Sequence, residues 1–260
     1  MTDPQRPQWQ LPPGVTRGMW DYAHTESIAT DYDAYFTGTQ LFELDEAILR
    51  KHFTTPGLVA DLGCGTARAL VPLVKRGFRG LAVDLSEPML KVVREKVEKE
   101  QLDITCVRAN LVELDCIADG AVDYCISLFS TLGMIRGREN RHKALLHTRR
   151  ILKPGGKFVL HVHNYWYNLY DPGGPWWVLE GYWRGLVRRD IEPGDKFFFY
   201  RGVSNMFLHV FTWREIRRAL RRAGFRILDT VYLDPQRHRA LRAPWLAGNL
   251  RANGWIIACE

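Results

Sequence analysis

Short apolar runs alternate with longer amphipathic stretches through the middle of the chain. Runs at 58–61, 80–84, 103–108, 121–127 and 156–163 read as strands, because four to eight mostly apolar residues bounded by turn residues suit a strand buried in a sheet. Between them, 66–76, 87–100 and 139–151 read as helices. Ser86 before Glu87 and Pro88 marks a helix start, since a hydroxyl caps free N–H groups and proline suits a first turn. Pro72 falls inside the first of these helices, where a proline removes a hydrogen bond and favours a kink. Pro154-Gly155-Gly156 ends the third helix. Such alternation implies parallel strands with right-handed crossovers, and ligands in such sheets bind beyond the carboxyl ends of the strands. Asp61, Asp84, Asn110, Ser127 and His163 then share one edge.

The flanks read differently. Residues 1–18 carry four prolines and little periodicity, which predicts an irregular or mobile arm. Leu41, Leu44, Ile48 and Leu49 recur at helical spacing and predict an amphipathic helix on the sheet. From Tyr165 to Tyr200, 12 of 36 residues are aromatic, around a turn cluster at Asp171–Pro175. An aromatic insertion after the fifth strand is placed to wall a substrate pocket, and it equally suits a small core under a long connection. Phe197–Phe211 reads as one or two cap strands, antiparallel if paired. Thr212-Trp213-Arg214-Glu215 has the form of a capping box, followed by the apolar stripe Ile216, Leu220 and Ala223. Phe225–Leu233 and Gly254–Cys259 read as further strands. The expected division is an N-terminal arm with cap helices (1–52), a ligand-binding core (53–163), a cap insertion (164–211) and the C-terminal part of the core sheet (212–260).

The stretch 59–68 carries the sharpest chemistry. An apolar strand ends in Asp61 and is followed by Gly63-Cys64-Gly65. Glycines there let the backbone turn sharply and approach a ligand, and the next helix points free N–H groups into the turn. Leu81-Ala82-Val83-Asp84 is a second apolar run ending in an acid, 19 residues after Gly65. An acid at the tip of the second strand is placed to accept hydrogen bonds from ribose hydroxyls.

With these motifs the chain resembles the class I S-adenosylmethionine-dependent methyltransferases. Asp61-Leu62-Gly63-Cys64-Gly65-Thr66 is similar to that family's first motif, and Asp84 to its ribose-binding acid. Val107–Leu111 matches the end of the third strand beside the adenine, Val122–Leu128 the fourth strand, and Leu152–Phe158 the turn into the fifth. Asn110 stands where the family often has an acid. The resemblance covers Phe53–His163 strongly and the last 50 residues more loosely. It implies a doubly wound, mostly parallel, seven-stranded Rossmann-like α/β sheet carrying the aromatic-rich cap, with Gly254–Cys259 as its antiparallel strand. It also implies S-adenosyl-L-methionine as cofactor, with Asp61, Gly63, Gly65, Asp84, Leu85, Asn110, Leu111, Ser127 and Leu128 at the binding site. Tyr32-Asp33-Ala34-Tyr35-Phe36 is similar to the aromatic N-terminal element that covers the methyl donor in many members, which adds Tyr35; core anchoring would explain the same aromatics. A dinucleotide-binding dehydrogenase would need a third glycine where this chain has Arg68.

Composition narrows the partners. No run of 18 apolar residues is present, which speaks against a membrane-spanning helix. Residues 1–9 are polar, unlike the apolar centre of a signal peptide. Five cysteines with no Cys-x-x-Cys pair argue against a disulfide framework or zinc cluster and for a reduced, cytoplasmic protein. Residues 165–260 hold 15 basic and 9 acidic side chains, 14 of the basic ones arginine, within an overall charge of +7. A solvated arginine-rich helix face is the plainer reading of that asymmetry; an anionic substrate or RNA is the other.

Methyl transfer from a sulfonium is an in-line displacement, so placement of the acceptor is the main demand, and no metal is required. His161 and His163 lie two apart on a strand and share a face, without the acidic neighbours a metal site would use. His163, nearer the strand's carboxyl end, is the candidate base or acceptor-orienting group, ahead of His24 and His209. The expected function is methylation of a small-molecule acceptor. The alternatives are methylation of RNA, such as a tRNA nucleoside, and a non-catalytic nucleoside-binding protein. The sequence leaves the acceptor atom and the oligomeric state open.

Overall fold

A computed structural model describes residues 7–35, 41–187 and 191–260. Nine strands are present among them: β1 Leu58–Leu62, β2 Arg79–Asp84, β3 Ile104–Arg108, β4 Val122–Ser127, β5 Leu152–His163, β6 Asp195–Tyr200, β7 Val203–His209, β8 Ile227–Tyr232 and β9 Gly254–Cys259. Seven form one sheet in the order β3-β2-β1-β4-β5-β9-β8, and β6 pairs with β7 in a separate hairpin. Strands β1 to β5 are mutually parallel, while β9 runs antiparallel to both β5 and β8. The doubly wound sheet expected from the sequence is therefore present, with its antiparallel strand at Gly254–Cys259. The fifth strand begins at Leu152 instead of 156, so Pro154-Gly155-Gly156 lies inside it and the helix before it ends at Ile151.

Alternate residues of each central strand feed opposite layers, as the two-residue period of a strand requires. On one side, Ala60 and Leu62 of β1 and Trp255 and Ile257 of β9 pack with α7 (Arg138–Ile151) and α9 (Trp213–Arg222) through Leu145, Ile151, Ile216 and Leu220. On the other, Val59, Val159 and Ile256 meet α4 (Leu41–His52), α5 (Leu70–Lys75) and α6 (Glu87–Glu100) through Ile48, Leu49, Leu70, Leu73, Leu90 and Val93. Asp61, one residue from Ala60 and Leu62, consequently turns toward the α4 side, as do His161 and His163 relative to Leu160 and Val162.

The first core helix is shorter than the apolar pattern suggests. Ala67 takes a left-handed φ of 59°, and α5 begins only at Leu70. Pro72 thus sits in the first turn, where its missing N–H would have had no intrahelical partner. Ser86 Oγ accepts the Met89 N–H at 3.3 Å and caps α6, and Thr212 Oγ1 accepts the Glu215 N–H at 3.2 Å and caps α9.

Three short helices precede the sheet: α1 Arg17–His24, α2 Glu26–Thr30 and α3 Tyr32–Tyr35. With α6 and the β6–β7 hairpin they enclose a small core of Ile28, Ala29, Met89, Val203 and Met206. Helix α1 lies close against the hairpin, since a Cβ on Gly18 would fall 2.2 Å from the Asn205 carbonyl oxygen. The aromatic stretch after β5 contains a helix that its sequence pattern did not announce, α8 at Gly174–Val187, and α10 at Gly248–Arg251 leads into β9. No described helix is long and apolar enough to cross a membrane.

Candidate cofactor cleft

The turn after β1 is tied to the end of β2 by backbone and side chain together. The Gly63 and Cys64 N–H groups both donate to the Val83 carbonyl, at 2.8 and 3.1 Å. Asp84 Oδ2 accepts the Gly65 N–H at 2.8 Å, and Oδ1 accepts the Ser86 N–H at 2.8 Å. Gly63 and Gly65 have φ of +80° and +53°, a region costly for any residue with a side chain. A Cβ on Gly63 would lie 2.3 Å from Thr131 Cγ2. Desolvation raises the proton affinity of the Asp84 carboxyl, and the N–H groups of Ser86, Gly65 and Leu85 oppose it. Each Asp84 oxygen keeps a lone pair beyond these bonds, which suits acceptance from vicinal hydroxyls.

This turn floors a cleft, with Asp84, Leu85, Asn110 and Leu111 along it and Tyr22, Tyr32 and Met89 above. Of the expected site residues, Gly63, Gly65, Asp84, Leu85, Asn110 and Leu111 come together there. Ser127 and Leu128 are buried at the end of β4 just short of it, and the following residues Phe129 and Thr131 line it instead. Tyr35 is 57% exposed and stands edge-on to Tyr200, outside the cleft; Tyr32, one helical turn earlier, places its ring 3.7 Å from where a Gly65 Cβ would be. Phe36, part of the same aromatic segment, lies outside the described residues. Helix α3 is held to the turn by Thr66 Oγ1 donating to Asp33 Oδ1 at 2.6 Å and by Lys96, which meets Asp33 at 2.5 Å and the Thr66 carbonyl at 2.8 Å.

The N-terminal arm corrects the sequence reading. Residues 1–6 lie outside the described residues, but 13 and 14 do not hang free: Asn110 Nδ2 donates to the Pro13 carbonyl at 3.0 Å, and the Arg136 N–H donates to the Gly14 carbonyl at 2.8 Å. Gly14 and Val15 therefore wall the cleft. The Asn110 amide is committed to the arm, with Oδ1 accepting the Val112 N–H at 3.2 Å.

Asp45 and Asp61 are both buried within reach of the Arg68 charge. Arg68 lies 3.7 Å from Asp45 and its guanidinium stacks 3.2 Å above the Phe42 ring centre and 4.5 Å from that of Phe129. Burial pushes both carboxyls up to about 7, and the Arg68 charge works against that rise.

His163 lies elsewhere. It faces a second cavity with Asn253, Lys196 and Arg237, one strand over from the cofactor cleft. Desolvation, then the Arg237 charge, lowers its proton affinity to about 4, while the Asn253 side chain acts in the opposite sense. His161, 5.0 Å from it between ring centres, is buried and held well below its usual value. His209 belongs to an ionic network: its Nδ1 meets Asp195 at 2.8 Å and its Nε2 meets Glu215 at 2.9 Å, and these contacts raise its proton affinity against burial. Ligand atoms of Glu192, His209 and Glu215 lie within 4.8 Å of one another, but Arg141 already sits 2.9 Å from Glu192 and 3.9 Å from Glu215. That cationic filling makes the trio a salt-bridge cluster.

Comparison with known proteins agrees with this geometry. The family described as Methyltransferase domain matches residues 59–156. Glycine N-methyltransferase of Mus musculus is 30% identical over 172 residues, 62% of this chain and 52% of that protein. Carboxy-S-adenosyl-L-methionine synthase of Campylobacter jejuni is 39% identical over 75 residues, 28% of this chain and 32% of that protein. The chain spans no more than about half the length of these curated relatives. In fold it is similar to the CcbJ methyltransferase of Streptomyces caelestis (TM-score 0.66, 17% identity, 92% of this chain and 98% of that one). It is also similar to the Burkholderia thailandensis 1,6-didemethyltoxoflavin-N1-methyltransferase solved with S-adenosylhomocysteine (TM-score 0.60, 18% identity, 90% and 83%). Residues 59–156 thus match a methyltransferase domain, set in a fold shared with S-adenosylmethionine-dependent methyltransferases.

Proposed function

We propose that this protein transfers a methyl group from S-adenosyl-L-methionine to a small-molecule acceptor held under the cap. The observation that carries the reading is the cleft in which the Gly63–Gly65 turn and the Asp84 carboxylate face Tyr22 and Tyr32. The residues fit the group: Asp84 keeps acceptor capacity for ribose hydroxyls, and the missing Cβ of Gly65, where only the Tyr32 ring comes within 4 Å, leaves the backbone there open to close approach. When bound, the cofactor supplies a methyl already activated by its sulfonium.

The chain's own task is placement. Gly14 and Val15 of the arm and the rings of Tyr22 and Tyr32 wall the cleft and limit the poses open to a bound ligand. His163 is the acceptor-orienting group in this reading. An imidazole titrating near 4 stays neutral at physiological pH, so it accepts a hydrogen bond from the acceptor and is too weak a base to store its proton. The same reading takes Asp61, Ser127 and Leu128 as support beneath the cofactor and Tyr35 as an outer neighbour of Tyr32, and places the protein in the cytoplasm.

Support comes from the domain match and from small-molecule methyltransferases among proteins of the same fold. The test is turnover: purified protein with S-adenosylmethionine and a panel of small acceptors should release S-adenosylhomocysteine. Release with no acceptor in a broad panel, tRNA included, would favour the non-catalytic binder.

One observation favours RNA as a second reading. Arg214, Arg217, Arg218, Arg221 and Arg222 cluster on α9, with no ion pair among the described residues. RNA held there should dissociate steeply as salt rises, whereas a neutral small acceptor should not.

A further inference from the structure

The basic loop 237–242 plays no part in the cofactor cleft, yet Arg237 faces the cavity beside His163. That cavity, of about 400 Å³, has an apolar wall of Tyr167, Phe198 and Leu208 and a polar one of His163, Lys196 and Arg237. The loop that carries Arg237 is tightly built. Asp234 Oδ1 accepts the His238 N–H at 2.8 Å, the Asp234 carbonyl accepts the Arg237 N–H at 3.0 Å, and Asp234 Oδ2 pairs with Arg239 at 3.4 Å. Arg237 itself takes a left-handed φ of 60°, where glycine or asparagine would cost less.

The charges around the cavity do not cancel. Lys196 rests against Asn168 and lies 3.4 Å from the Asp171 carboxylate. Asp234 is spent on Arg239, and among the described residues Arg237 has no carboxylate within ion-pair distance. One guanidinium is thus left uncompensated beside an apolar wall. Its field reaches into the cavity, acting on His161, His163 and Tyr200. The cavity adjoins the cofactor cleft: the His163 N–H meets Ser130 Oγ at 3.4 Å, and Phe129 and Thr131 on either side of Ser130 line that cleft.

We propose that the methyl acceptor is a carboxylic acid with an apolar body, its carboxylate held by Arg237 and its body lying against Tyr167, Phe198 and Leu208. This rests on the reading of the protein as a small-molecule methyltransferase. A planar guanidinium matches a carboxylate through two parallel hydrogen bonds, and a single uncompensated charge suits a monoanion better than a phosphate dianion.

The test is calorimetric. Protein saturated with S-adenosylhomocysteine is titrated with phenylacetate, indole-3-acetate and benzoate, and with the neutral amide of each. At least one acid should bind about tenfold more tightly than its amide, as expected for charge-assisted over neutral hydrogen bonding. Arg237→Gln should abolish that preference and Arg237→Lys should keep part of it, with S-adenosylhomocysteine affinity unchanged in both. The proposal is overturned if no acid outbinds its amide, or if the preference survives in Arg237→Gln. Failure to bind S-adenosylhomocysteine overturns the underlying functional reading as well, whereas binding it without an acid preference overturns this proposal alone.

Discussion

The Asp84 carboxylate accepts the Gly65 N–H at 2.8 Å across 19 residues of chain, fixing the tip of β2 to the turn after β1. The same carboxylate holds the Ser86 N–H, and Ser86 Oγ donates to the Ala23 carbonyl at 2.6 Å. One side chain thereby shapes the glycine turn, starts α6 and indirectly seats the helix that roofs the cleft.

Asp84→Ala should weaken S-adenosylmethionine binding by roughly 1.5–3 kcal/mol, the usual worth of hydrogen bonds to a charged group. Calorimetry reads the loss directly, and an unchanged affinity would contradict the ribose assignment. Asp84→Asn should lose less, because the amide oxygen still accepts one of the two N–H groups.

Gly63→Ala should be worse for stability than for any single contact. A left-handed φ on a residue with a Cβ costs about 1–3 kcal/mol, and here the Cβ would also meet Thr131 Cγ2 at 2.3 Å. Thermal melting should show a clear drop, and pairing the change with Thr131→Ser should recover part of it by removing that methyl group.

Much of this region was legible beforehand. The short apolar runs that end in Asp61 and Asp84 predict the sheet and bring both acids and the glycine turn to one edge; the Gly65–Asp84 hydrogen bond itself shows only in the structure. What stayed hidden has physical causes. The arm docks through the Pro13 and Gly14 carbonyls, and backbone acceptors are common to every residue. Tyr32 faces the cleft and Tyr35 does not because α3 is four residues long, too short for periodicity to set its phase. Helix α8 carries Trp176 and Trp183 exposed and so has no polar face to announce a helical repeat. The direction of Arg237 depends on the Asp234 turn, which no apolar periodicity marks.

The buried acids predict a dependence on pH. Asp45 and Asp61 titrate near 3.8 when unfolded and near 7 in the native protein. The native state therefore holds more protons between those values, and the stability these groups contribute is full below about 3.8 and lost as pH rises through about 7. The melting temperature should fall from about pH 4 to about pH 7 and level off above it, and Asp45→Asn should reduce that fall. A flat profile would contradict the shared burial of the two acids around Arg68.

His163→Gln should leave S-adenosylhomocysteine affinity intact, since His163 lines the neighbouring cavity and not the cofactor cleft. It should lower kcat/KM for the acceptor, by about tenfold for one lost hydrogen bond. The wild-type pH profile should show no titration near 6.5, because the imidazole is already neutral there. A profile that follows an ordinary histidine would assign His163 the proton-accepting role instead.

The central claim is that the cleft between the Gly63–Gly65 turn and Tyr22 binds the nucleoside of S-adenosylmethionine. Parallel calorimetric titrations with S-adenosylmethionine, S-adenosylhomocysteine and NAD test it most directly. Saturable binding of the first two, at one molecule per chain and without NAD binding, is the predicted result. Binding of NAD alone, or of none of the three with candidate acceptors present, would contradict it.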